Sequence, residues 1–253
     1  MKRALITAVL SVGLIVLSGP WSVAIADDDD DDNDHRLQAV PFAFVGKVAD
    51  CGYSGSNIVT SAWLGGMGLP DNGGANTTAA DVTTNPNKQD PHLGLLLSKN
   101  GPQADCSAAG ATITGVTGKT VTAGFTVGFD YRNGGHCGAG APRFNIDTDM
   151  GFFFVGCANA PTTPAPQDPT EWSRTRSDVT NCGSECFPGS IPVGAKINSI
   201  NIIFDEGTDI ASNDTQGVGL AVVDNIDING RLITRGTGIA DGIDRYKKKH
   251  DRD

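Results

Sequence analysis

After residue 36 the chain carries its apolar residues in short β-branched or aromatic runs. Each run is cut off by Gly, Asn, Asp or Pro, and almost none shows helical spacing. Such a chain cannot build a helical bundle. Its runs predict strands over Pro41 to Val48, Asn57 to Leu64, Leu93 to Lys99, Ala111 to Thr117, Thr120 to Tyr131, Arg143 to Ile146, Gly151 to Gly156, Glu171 to Arg176, Ile197 to Phe204, Gly217 to Ile228 and Arg231 to Arg235. Three turns are specified by their residues. Asn229-Gly230 suits a type I′ hairpin turn, which needs positive φ at both positions. Gly118-Lys119 is expected to close a second hairpin, and Asn133-Gly134-Gly135 to end the long strand before it. About eleven strands at this turn density predict an all-β fold, a single β-sandwich of jelly-roll type. The stretches Gly65 to Pro91 and Ala158 to Pro169 are expected to be exposed loops.

The first 26 residues read as a cleavable signal peptide. Lys2 and Arg3 precede the apolar run Ala4 to Leu17, Gly19-Pro20 breaks it, and Ala24-Ile25-Ala26 offers a small-residue cleavage site. The run is short for a bilayer span, which takes roughly 20 residues. No second long apolar stretch follows, so no membrane span is expected after cleavage. The expected organisation is signal peptide 1–26, acidic N-terminus 27–36, sandwich 37–238 and charged tail 239–253. The expected location is secreted and extracellular, or periplasmic.

Export changes how the six cysteines are read, because an even number in an oxidising compartment points to disulfides. Cys182 and Cys186 enclose only Gly-Ser-Glu, which favours a local bridge. Cys137 and Cys157 flank the hairpin formed by Arg143 to Ile146 and Gly151 to Phe154. Setting Ile146 opposite Gly151 brings Cys157 to Gly140, near Cys137. Cys51 and Cys106 pair by elimination. Zinc is disfavoured, since the spacings are not paired C-x-x-C knuckles.

The formal charge is -10, and it becomes -12 once Lys2 and Arg3 leave with the signal. Asp27 to Asp32 and Asp34 carry seven of those charges, so the remaining body is near -5. An acidic chain without a basic stripe has no footprint for nucleic acid. The acidic run itself reads as a solvated terminus, with weak cation or mineral-surface chelation as the sharper alternative.

The most distinctive stretch runs from Gly128-Phe129-Asp130-Tyr131-Arg132 through His136-Cys137-Gly138-Ala139-Gly140-Ala141-Pro142-Arg143-Phe144. It resembles a group of uncharacterised exported bacterial β-sandwich proteins with a Cys-Gly-x-Gly-x-Pro-Arg-Phe turn. The closing Val223-Asp224-Asn225-Ile226-Asp227-Ile228-Asn229-Gly230 is similar to the last strand of carbohydrate-binding-module-like jelly rolls. The resemblance covers about half of the chain after residue 26, and it implies a fold and an extracellular setting, not an activity.

From the residues themselves, the glycines around Cys137 permit a tight crossing of disulfide and strand, and Arg143 and Asp130 are placed to pair across neighbouring strands. A ligand pocket around Arg132, His136 and Arg143 is the functional alternative to a pinned crossover. Trp63 and Trp172 are the only tryptophans after the signal, as candidate glycan platforms or as core. Asp205, Glu206 and Asp209, with Asn213 and Asp214 after them and Asp224 on the next strand, form an oxygen-rich set suited to structural calcium or to solvated turns.

Catalytic signatures are thin. There is no Gly-x-Ser-x-Gly elbow and no His-Glu-x-x-His, a bonded Cys137 cannot serve as a thiolate, and only Glu171, Glu185 and Glu206 are available as glutamates. The expected function is a secreted, non-catalytic domain binding a glycan or cell-envelope component, with possible calcium stabilisation. A structural or surface-layer protein is the first alternative and a glycoside-directed hydrolase the second.

Overall fold

A computed structural model describes residues 37–46, 59–70, 92–100, 107–206 and 219–240. The signal peptide, the acidic run, Cys51, Cys106, Asp209 and the chain after residue 240 lie outside the described residues. Alternating inward and outward residues produce thirteen strands: Gln38–Val45 (β1), Val59–Leu64 (β2), Gly94–Lys99 (β3), Ser107–Thr114 (β4), Thr126–Arg132 (β5), Arg143–Thr148 (β6), Gly151–Gly156 (β7), Thr162–Pro164 (β8), Trp172–Asp178 (β9), Cys186–Phe187 (β10), Ile197–Phe204 (β11), Leu220–Ile228 (β12) and Arg231–Ile233 (β13). Among the described residues there is no α-helix, and none long and apolar enough to cross a membrane.

The strands form two antiparallel sheets. The first has the order β1-β4-β11-β6-β7-β10, and the second β2-β3-β12-β5-β9-β8. β12 shares one edge between two partners, β3 along Leu220 to Val223 and β13 along Ile226 to Ile228. The chain passes repeatedly from one sheet to the other, as jelly-roll sandwiches do. Between the sheets lies one apolar core. Phe144, Ile146, Ile200, Ile202 and Phe204 fill it from the first sheet, and Leu95, Leu97, Phe129, Val223 and Ile226 from the second. Burial of this core is the main favourable term in folding, at roughly 25 cal/mol per Å² of apolar surface.

Several expectations hold. β7 and β11 have the expected bounds, and Asn229 and Gly230 both take positive φ, at 53° and 80°, in the β12–β13 turn. Both testable disulfides are present: Cys137–Cys157 with Cα atoms 5.3 Å apart, and Cys182–Cys186 at 5.6 Å.

Other expectations are corrected. Gly118-Lys119 does not close a hairpin, because β4 and β5 belong to different sheets. Gly118 and Gly124, with φ of 80° and 75°, turn the chain twice, so the strand expected over Thr120 to Tyr131 begins only at Thr126. The β6–β7 hairpin pairs Thr148 with Gly151 and Ile146 with Phe153, two residues from the expected register. A two-residue shift leaves every side chain on its original face, so the disulfide across this hairpin survives it. Residues 71–91 of the first expected loop lie outside the described residues, and the described parts of both loops join the fold. Leu69 is buried, β8 pairs with β9, and Ala165 and Gln167 are buried.

Gly140 and Gly156, beside the Cys137–Cys157 bridge, act through space rather than through positive φ. A Cβ on Gly156 would overlap the Ala139 carbonyl, and one on Gly140 would overlap the Glu206 carboxylate. This is the tight crossing expected from the Cys-Gly-x-Gly stretch.

Candidate functional site

The outer faces of the two sheets differ in what covers them. On the second sheet, Leu69, Ala165, Trp172 and Val222 form a small apolar cluster, with Met67 and Leu96 packed against it. Beside it is a buried charge network. Asp130 is fully buried and accepts hydrogen bonds from Arg174 Nε at 2.7 Å, Arg174 Nη2 at 2.9 Å and Asn225 Nδ2 at 2.8 Å, with Arg176 Nη2 at 3.3 Å. Asp227 holds Arg176 Nε at 3.1 Å. Burial of its carboxyl raises the Asp227 pKa, and the Arg176 charge partly offsets this. Burial lowers the Arg176 pKa against the pull of Asp130 and Asp227, while the hydrogen bond to Asp130 raises that of Arg174. The carboxylates and guanidiniums satisfy one another, so this face is internal architecture.

Among the described residues, the first sheet is open where strand register lines up a row of half-buried and exposed side chains. Thr112 on β4 pairs with Asn201 on β11, Asn201 with Asn145 on β6, Asn145 with Phe154 on β7, and Phe154 with Phe187 on β10. Their alternates Ile113, Ile200, Ile146 and Val155 enter the core, which turns this row outward. The Thr112 hydroxyl donates to Asn201 Oδ1 at 2.9 Å, and Arg143 Nε donates to Asn145 Oδ1 at 2.9 Å. With both amide oxygens engaged by neighbouring side chains, the donor ends of these two paired residues are their NH2 groups. Next to them stand three phenyl rings. Phe152 and Phe154 have centroids 4.9 Å apart and nearly edge-to-face, and Phe187 lies 6.2 Å from Phe154. Phe187 is 69 % exposed and Phe152 45 %.

Arg143 secures this face. Its guanidinium meets both Asp205 carboxylate oxygens at 2.6 and 2.8 Å, donates to the Gly140 carbonyl at 2.7 Å, and lies 5.7 Å from the Phe154 ring centroid. A bidentate pair of this kind fixes geometry as well as charge. Asp147, one step along β6, pairs with Ser199 and with Phe152 in the next row.

No family model, curated protein or solved structure matches this chain. The site therefore rests on its own geometry.

That geometry redistributes the residues singled out from sequence. Arg132, His136 and Arg143 do not line one pocket. Arg132 is exposed at the end of β5 and pairs with Glu171. His136 is buried, with its Nε2 2.6 Å from Glu206 Oε2 and its ring edge-on to Phe204. Only Arg143 reaches the amide-and-phenyl row. The expected Arg143–Asp130 pair is not formed, because β5 and β6 lie in different sheets and each charge has a partner in its own. Trp63 and Trp172 are both buried and offer no platform. The Trp63 indole donates to the Ala39 carbonyl at 2.8 Å, and Trp172 packs on Leu69 and Val222.

The acidic set is divided as well. Asp205 faces Arg143 and Glu206 faces His136. Asp224 accepts the backbone N–H of Leu69 at 2.7 Å and of Asn225 at 2.6 Å. Asp209 lies outside the described residues. Among the described residues, no group of three or more His, Cys, Asp or Glu is placed to hold a metal. Lys99 was not singled out from sequence. It is fully buried and donates from Nζ to the Asp205 carbonyl at 2.7 Å, so β3 helps to hold the strand end carrying Asp205 and Glu206.

Proposed function

We propose that the chain is exported by way of its first 26 residues and acts as a non-catalytic binding domain. Its ligand is a glycan of the cell envelope or surroundings, held on the outer face of the first sheet. The supporting observation is the row Thr112–Asn201–Asn145–Phe154–Phe187, in which two fixed amide donors adjoin exposed phenyl rings. Sugars present both things such a face can use: hydroxyl and ring oxygens for the amides, and an apolar C–H face for the rings. Exposed aromatic area of this kind marks interaction sites rather than ordinary surface.

The test is a pull-down of the mature chain, residues 27–253, on insoluble and immobilised polysaccharides, with Asn145→Ala and Phe154→Ala as variants. Parallel arms contain calcium or EGTA: calcium-dependent retention supports a cation held with the ligand, and equal retention in both arms removes calcium from the reading. Retention of the wild type on at least one neutral polysaccharide, lost in both variants, is expected. No retention on any glycan, or retention equal in both variants, overturns the reading. The hydrolase alternative has less support, because Glu206 is buried against His136 and Glu171 is paired on the surface.

A further inference from the structure

The shape and charge of the row narrow the ligand, an inference that rests on the glycan reading above. Residues Thr112 to Phe187 cross five neighbouring strands, and strands lie about 4.8 Å apart, so the row is about 19 Å long and runs perpendicular to the strands. One pyranose ring of an extended, equatorially linked polysaccharide advances by about one strand spacing. A chain laid along the row therefore keeps step with it. Each ring meets a new strand, first the phenyl rings of Phe187 and Phe154 and then the amides of Asn145 and Asn201. A bent or helical glycan leaves the row after one or two rings.

Charge narrows it further. The guanidinium beside the row, Arg143, is already neutralised by both oxygens of Asp205, and the next row carries Asp147. With the whole chain at -10, an anionic sugar gains no cation here and meets a like charge. We infer that the face binds a neutral, extended, β-linked polysaccharide lying across the strands, with subsites for about four rings and Phe187 as the outermost. Arg143 acts as a positioning residue, because it holds the Asn145 carbonyl oxygen and so aims the NH2 donor.

The experiment is isothermal titration of the mature chain with β-1,4-linked glucose and N-acetylglucosamine oligosaccharides of graded length, and with oligogalacturonates of matched lengths. Affinity for one neutral series should rise by about two- to ten-fold per ring, the range of an aromatic contact, and level off at about four rings. Oligogalacturonates should bind at least ten-fold more weakly. In Phe187→Ala, whose side chain is mostly exposed and whose loss should leave the fold intact, the rise should level off one ring earlier. Light scattering on the same samples must show a monomer.

Binding of a polysaccharide without length dependence, preference for the galacturonates, or equal loss at every length in Phe187→Ala overturns the across-strand inference and leaves the glycan reading standing. Absence of binding to any polysaccharide overturns both. So does a dimer that disperses on Phe187→Ala, which assigns the face to a second copy of the chain.

Discussion

Replacing Asp130 by Ala should destabilise the sandwich far more than a surface carboxylate could. Asp130 is fully buried, and three side chains converge on it: Arg174 through two nitrogens, Arg176, and the Asn225 amide. The two arginines are only 19 % and 21 % exposed, so neither can turn freely to water. Without Asp130 both face one remaining carboxylate, Asp227, and Arg176 already carries the larger desolvation cost. Removing one partner of a buried pair typically costs about 3 to 5 kcal/mol, because the other charge stays buried. For a domain of this size that corresponds to a fall in Tm of about 6 to 20 °C. The assay is urea and thermal unfolding with the disulfides intact, followed by near-ultraviolet circular dichroism. A companion variant, Asp130→Leu with Arg174→Met, Arg176→Met and Asp227→Asn, removes the whole charge set and should recover most of the loss. A cost below about 1 kcal/mol for Asp130→Ala, the value of an exposed ion pair, refutes the claim that this network is desolvated.

Further predictions follow from other parts of the sandwich. Removing Cys137–Cys157, a separation of 20 residues, should cost about 3 kcal/mol by loop-closure entropy, against about 2 kcal/mol for Cys182–Cys186 with its separation of 4, both read from urea midpoints under oxidising conditions. Asp227 has a folded-state pKa raised above its unfolded value, so its contribution is complete below the unfolded pKa and is lost as pH rises through the folded one. Unfolding of wild type and Asp227→Asn across the carboxylate range should show the wild type losing stability relative to the variant as pH rises, and the opposite slope counts against the desolvation argument. Gly230→Ala places a Cβ at φ 80° in the β12–β13 turn and should cost about 1 to 2 kcal/mol in a thermal melt, whereas no loss means the turn relaxes.

Much of the fold was legible because period-2 alternation and turn residues are local signals. Gly151 to Gly156 and Ile197 to Phe204 emerged with their observed bounds, and the Cys137–Cys157 bridge survived an error in hairpin register because the error was an even number of residues. The site was less legible, since it depends on pairings between distant strands. Asn145 and Asn201 are 56 residues apart and look like ordinary polar positions until register sets them side by side. Within the expected strand Gly151 to Gly156 only Phe153 of the three phenylalanines enters the core, and the two flanking rings form the face. Trp63 and Trp172 are candidate platforms or core by sequence, and Leu69 and Ala165, from stretches whose composition suggests open loops, help to cover Trp172. His136 and Glu206, 70 residues apart, consume one another in the interior. No local pattern announces that pairing.

The central claim is that ligand is held on the outer face of the first sheet and not on that of the second. The most direct measurement is a chemical-shift map of residues 27–253 titrated with a soluble oligosaccharide derived from a polysaccharide that retains them. The largest changes should fall on Asn145, Phe154, Phe187 and Asn201, with Arg132, Trp172 and Arg174 unmoved. Changes centred on Arg132, Trp172 and Arg174 instead would place the ligand on the opposite face and contradict the account.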